Sequence, residues 1–170
     1  MAIVATDLKL YHSGGGSNSN IANDISGDIS SVELTDNTLN NLWDDVSGDE
    51  SAAGDTEYRK IFFKNTHGSL TAQSTVLWIQ TNTTSTDDTI TIGKDPGGVN
   101  VAGSDCSNES SAPSPTVTFV TAVDKANGLT LGNMTAGQKF AIFVKRVVSA
   151  SAAANDSNSY VLKAECDTAA

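Results

Sequence analysis

From Lys139 to Val148 the chain reads KFAIFVKRVV, and no other ten residues restrict its fold as much. In an extended strand Phe140, Ile142 and Val144 project to one side and Ala141 and Phe143 to the other, because successive side chains alternate across the pleat. A strand that is apolar on both sides needs cover on both sides, so this one belongs inside a sheet with structure above and below it.

Shorter alternating runs surround it. Leu8 and Leu10 against Asp7 and Lys9 predict a strand within residues 1 to 11, and Ser31 to Leu34 predicts another. From Tyr58 to Lys64, Ile61 and Phe63 share one face, while Tyr58, Phe62 and Lys64 divide between the other face and the rim. Thr75 to Thr81 (TVLWIQT), Thr89 to Ile92, Val117 to Val120, Leu129 to Leu131 and Tyr160 to Cys166 complete the set. Asn65-Thr66-His67-Gly68 is a turn signal that predicts an antiparallel hairpin between the Tyr58 and Thr75 strands. Asp36 is placed to cap one helical turn running through Leu42 and Trp43. Roughly seven to nine short strands, with turn signals about every 8 to 12 residues, predict an all-β fold: an antiparallel β-sandwich, jelly-roll or Ig-like. No internal repeat and no long helical period compete with that reading.

Residues 13 to 20 are too rich in Gly, Ser and Asn to pack and read as a flexible connector. The chain therefore divides into residues 1–20, an N-terminal arm with its hinge, and residues 21–170, a single sandwich domain. Two readings of the arm stand side by side. Residues 1 to 12 either add a strand to a neighbour's exposed sheet edge or form the first strand of their own sandwich. At 170 residues the chain suffices for one domain that buries roughly two-thirds of its unfolded surface.

Twenty acidic and ten basic residues give a net charge of −10 and an isoelectric point near 4.3. A field of that sign repels phosphate backbones and anionic lipid, so neither nucleic acid nor a membrane surface is an expected partner. The first residues lack the basic and continuous apolar regions of a secretory signal, and no apolar run approaches the ~20 residues that span a bilayer. Cys106 and Cys166 are far apart and lack CxxC spacing, so neither a zinc site nor a redox motif is indicated, while one disulfide is possible. The Asn-x-Ser/Thr sites at Asn82, Asn108, Asn133 and Asn155 follow from the abundance of those residues.

Asp44 to Asn65, DDVSGDESAAGDTEYRKIFFKN, changes abruptly from an acidic small-residue loop into an apolar and basic strand. Asp44, Asp45, Asp49, Glu50, Asp55 and Glu57 could supply oxygens to Ca²⁺, but their order does not match the alternating ligands of a calcium loop. No cofactor or metal is expected there. Neither His12 nor His67 lies near a nucleophile motif, and GxSxG, HExxH and Walker loops are absent from the sequence, so no catalytic residue is nominated and the chain is not expected to be an enzyme. Gly14-Gly15-Gly16 lacks the strand-to-helix context of a phosphate loop. Trp78 reads as core and Trp43, beside two aspartates, as an interface anchor.

Three phrases, ATDLKLYHSGG, DDVSGDESAAGDTEYRKIFFKN and LTLGNMTAGQKFAIFVKRVV, together make the chain similar to small β-sandwich virion proteins of tailed bacteriophages. The resemblance implies a structural role, most nearly that of a decoration or cement protein on the capsid exterior. It implies a major capsid protein as partner, homo-oligomerisation, synthesis in the host cytoplasm and residence on the virion. Leu8, Leu10, Tyr11, Trp43, Arg59, Lys60, Lys145 and Arg146 are the interface candidates, the four cations to meet capsid carboxylates. Tail, head-tail connector and fibre modules of the same virion, or a glycan-binding sandwich, are the alternatives.

Overall fold

A computed structural model describes residues 2–155 and 157–168. Its strands are β1 (Leu8–His12), β2 (Asp55–Asn65), β3 (Ala72–Thr81), β4 (Asp88–Val99), β5 (Leu129–Met134), β6 (Lys139–Val148) and β7 (Val161–Thr168), with one short α-helix among the described residues, α1 (Gly48–Ala53), and three single 3-10 turns. They form two antiparallel sheets, β1-β2-β6-β4 and β5-β3-β7, packed as a β-sandwich.

β6 sits inside the four-stranded sheet, where its doubly apolar pattern requires it to be. On the inner side Ile61, Phe63, Ile90, Ile92, Ile142 and Val144 meet Leu77, Ile79, Leu131 and Met134 of the facing sheet. On the outer side lie Lys60, Phe62, Ala141 and Phe143, all buried although no second sheet covers them. Their cover is two irregular segments, residues 13–30 and 103–119, which carry Ile25, Cys106, Val117 and Phe119 onto Phe143 and Tyr58. Backbone bonds fasten this cover: Lys60 N to Asp24 O at 2.5 Å, Tyr58 N to Glu109 O at 2.7 Å and Cys106 N to Ile25 O at 2.8 Å. At Gly93 on β4 the cover comes so close that a Cβ would lie 2.5 Å from Val117 Cγ1 and 2.7 Å from Thr118 O.

The tract expected as a hinge is part of this cover. Gly14 N donates to Ser26 O, Gly15 N to Asp28 O and Ser31 N to Gly16 O, at 2.7–2.9 Å. Glycines at positive φ let the chain fold back on itself there, which composition alone cannot distinguish from a linker. Within the single chain β1 pairs with β2, Leu10 opposite Phe63.

The expected hairpin between β2 and β3 is not one, because the two strands belong to different sheets. The turn signal instead marks a crossing between layers, held by the Asn65 amide, which donates to Leu70 O and Met134 O, each at 2.9 Å. Ser31 to Leu34 and Val117 to Val120 contribute single bridges, Glu33 to Tyr11 and Val120 to Ile92, and not full strands. No helical turn forms at Leu42 and Trp43. One forms inside the acidic loop, where Ser47 Oγ accepts from Glu50 N and Glu50 Oε2 accepts from Ser47 N at 2.6 Å, a capping box. Gly54, at φ 79°, ends it.

Candidate functional site

β2 and β6 both continue their core-facing rows with charge. On β2 the row Phe63, Ile61 runs on to Arg59 and Glu57, and on β6 Ile142, Val144 runs on to Arg146. Strand alternation therefore drives two guanidiniums and a carboxylate into one end of the sandwich. Glu57 and Arg146 are direct cross-strand partners, with Arg146 Nε 2.6 Å from Glu57 Oε2. Arg59 Nη2 is 2.8 Å from Glu109, 3.4 Å from Glu57 and 3.5 Å from Asp44.

The segment Leu42–Asp44 is clamped onto this pair. Arg59 Nε donates to Leu42 O at 3.2 Å and Arg146 Nη1 to Asp44 O at 3.1 Å. The Trp43 ring lies against both guanidiniums, its centroid 5.1 Å from Arg59 Cζ and 4.9 Å from Arg146 Cζ, a double cation–π contact. Its Nε1 donates to Tyr160 Oη at 3.3 Å. Burial pushes the Tyr160 phenol up to about 12, against the Trp43 bond and the Arg146 charge. Burial likewise raises Glu57 above the usual carboxylate value, opposed by Arg146 and Arg59. Asp88 is raised for the same reason; its Oδ2 accepts from Asn158 at 2.6 Å, while its buried Oδ1 has no partner among the described residues.

Asp44, Glu57 and Glu109 bring oxygens within 4.8 Å of one another, the spacing of a cation site. The cation among them is Arg59, whose Nη2 reaches all three. From the acidic segment Asp44 and Glu57, joined by Glu109, thus serve as counter-charge to the chain's own arginines.

A second buried pair closes the cover. His12 Nδ1 lies 2.5 Å from Asp24 Oδ2, and Asp24 Oδ1 accepts from Ser13 N at 2.9 Å and Asn18 Nδ2 at 3.2 Å. Burial holds Asp24 above its ordinary value despite these bonds. Lys60, fully buried, extends between the Phe62 and Phe143 rings to Asp105, 2.9 Å away. His67 is a turn residue, with Nδ1 accepting from Ser69 N and Leu70 N.

Comparison with protein-family models, with curated proteins and with solved structures finds no match to this chain. Its chemistry is therefore read from its own residues.

Of the interface candidates, Trp43, Arg59 and Arg146 come together and Lys60 lies on the opposite side of the sheet. All four are buried and occupied by partners in their own chain, so they present no surface to another protein. Lys145 is half-buried on the outer side of β6. Leu8, Leu10 and Tyr11 lie on β1, also half-buried. Glu57, His12 and Asp24 were not singled out from the sequence as a buried set. For Glu57 a signal existed: it shares strand parity with Arg59, Ile61 and Phe63, which places all four on the core side.

Proposed function

We propose that this chain is a structural subunit of a virus particle, a decoration or cement protein that binds the major capsid protein on the outer surface of a tailed-phage head and bridges neighbouring capsid subunits. The observation that carries this reading is how the chain uses its cations. Lys9, Arg59, Lys60, Lys125, Lys139 and Arg146, of ten basic residues in all, are paired with its own carboxylates. The unpaired charge that faces outward is mostly acidic, which suits the exterior of a shell whose lumen holds polyanionic DNA. Polar chemistry is spent on fastening irregular segments to a sheet, as a passive clamp requires.

A glycan-binding sandwich needs an exposed aromatic platform. All ten aromatic residues of the chain are buried or half-buried, which disfavours that reading. The test is to make particles without the protein. Heads should package genome normally yet lose heat or pressure resistance, and adding purified protein should restore it. Unchanged particle stability, or a few copies confined to one vertex or the tail, overturns the proposal.

A further inference from the structure

The three-stranded sheet ends at β7, for which β3 is the one strand partner among the described residues. Its core-facing side chains Leu162, Ala164 and Cys166 pack against the main core yet are only half-buried. Beside them a groove of about 390 Å³ opens between β7 and β1, floored by Leu8, Leu10, Leu34 and Phe63. The opposite sheet runs on past β1, because His12 N donates to Val32 O and Leu34 N to Leu10 O. Among the described residues the sheet containing β7 has no row to match it. Among the described residues nothing covers the outer edge of β7 on this side of the sandwich.

We propose that a second copy of the chain supplies that cover, β7 pairing antiparallel with β7 of the other copy about a two-fold axis at Ala164. The charge pattern selects this register. Val161, Lys163, Glu165 and Asp167 form the exposed row of β7. Centred on Ala164, each Lys163 stands opposite the partner's Glu165, giving two attractive pairs. Centring one residue earlier sets the two Lys163 against each other, and one residue later sets the two Glu165 against each other; like charges directly opposite are destabilising. On the core side the same register puts Leu162 opposite the partner's Cys166 and the two small Ala164 side chains together at the axis. An isologous pair of this kind closes at two copies and removes both open edges. It needs no capsid, so dimerisation in solution and binding to a head are separable results.

Sedimentation of the full chain should give twice its 17.6 kDa mass. Lys163→Glu, an exposed change, should weaken the dimer about tenfold or more, and Lys163→Glu with Glu165→Lys and Lys125→Glu, which keeps the Lys125–Glu165 ion pair in reversed sense, should restore it. Independently, Ala164→Cys should cross-link the dimer under mild oxidation, whereas the native chain, whose Cys166 faces the partner's Leu162, should not. A 17.6 kDa species at concentrations up to about 100 µM overturns the proposal, as does a dimer indifferent to Lys163→Glu or one that cross-links through native Cys166.

Discussion

Arg146 on β6 faces Glu57 on β2 across the strand pair, both on the core side, with Nε and Oε2 2.6 Å apart. The carboxylate side chain is 3% exposed, whereas those of Asp44 and Glu109, which also serve the arginines, are 58% and 45% exposed. Glu57 is therefore the counter-charge that makes two buried guanidiniums tolerable, and through them it fixes Trp43 and the chain leading into α1.

Removing that charge should be costly. Glu57→Gln keeps the side-chain shape but leaves Arg146 and Arg59 short of their buried anion, and breaking a buried pair typically loses about 3 to 5 kcal/mol. Urea denaturation of the variant should show a loss in that range. Replacing Glu57 and Arg146 together by Leu and Met should recover part of it, because the buried Arg146 charge goes with its partner while Arg59 keeps Glu109 and Asp44. A loss below about 1 kcal/mol for Glu57→Gln would show that Asp44 and Glu109 suffice.

Asp88 gives the pH dependence a sign. Its pKa is raised by burial in the folded protein, so between the ordinary carboxylate value and the raised one the folded state binds more protons than the unfolded. Its contribution to stability is then fully present below the unfolded pKa and is lost as pH rises through the folded one. Asp24 acts in the same direction. Urea midpoints should therefore rise on acidification from neutral pH toward the upper carboxylate range. Asp88→Asn, which gives the unpartnered Oδ1 position a neutral group, should raise the midpoint at pH 7 and flatten the slope; a steeper slope in the variant refutes this assignment.

The two thiols should differ in reactivity. Burial pushes Cys106 up to about 11, and the residue lies beneath the cover at 4% exposure. Cys166, also raised by burial, is half-buried on β7. Iodoacetamide near pH 8, applied to protein dilute enough to be monomeric, should modify Cys166 first and reach Cys106 only on unfolding, since the reactive species is the accessible thiolate. Mass spectrometry of the labelled peptides decides it, and prompt labelling of Cys106 in the native chain counts against the buried position.

These features were unequally legible in the sequence. The centre of the fold was readable because alternation leaves little choice: KFAIFVKRVV had to lie covered on both sides, and β2, β3, β5 and β7 follow the same rule. The cover was not readable, because residues 13–20 and 103–115 have linker composition and both segments are held by a few bonds to distant residues. Asp24 meets His12 and Lys60, and Asp105 meets Lys60, 45 positions away. No local pattern announces such contacts. The arginine cage was half legible: strand parity with Ile61 and Val144 places Glu57, Arg59 and Arg146 on the core side, against the reading of the two arginines as interface cations, but only the fold shows that Trp43, from the loop before α1, closes over them. The Ser47–Glu50 capping box was written in the sequence and masked by the surrounding small residues.

Gly93 offers a test of whether the cover is structural. It pairs with Phe143 in the sheet, and its missing side chain is what lets Val117 and Thr118 lie against β4. A methyl group there meets a branched side chain and a carbonyl oxygen, neither able to yield without moving the backbone of the cover. Gly93→Ala should therefore destabilise by about 1 to 3 kcal/mol, the usual cost of overpacking. Because displacement is directed at the segment carrying Val117, which packs with Cys106 and Phe143, the same variant should also speed alkylation of Cys106 under native conditions. Loss of stability without faster labelling would place the strain in β4, and unchanged values for both would mean that the cover does not bear on the sheet at this point.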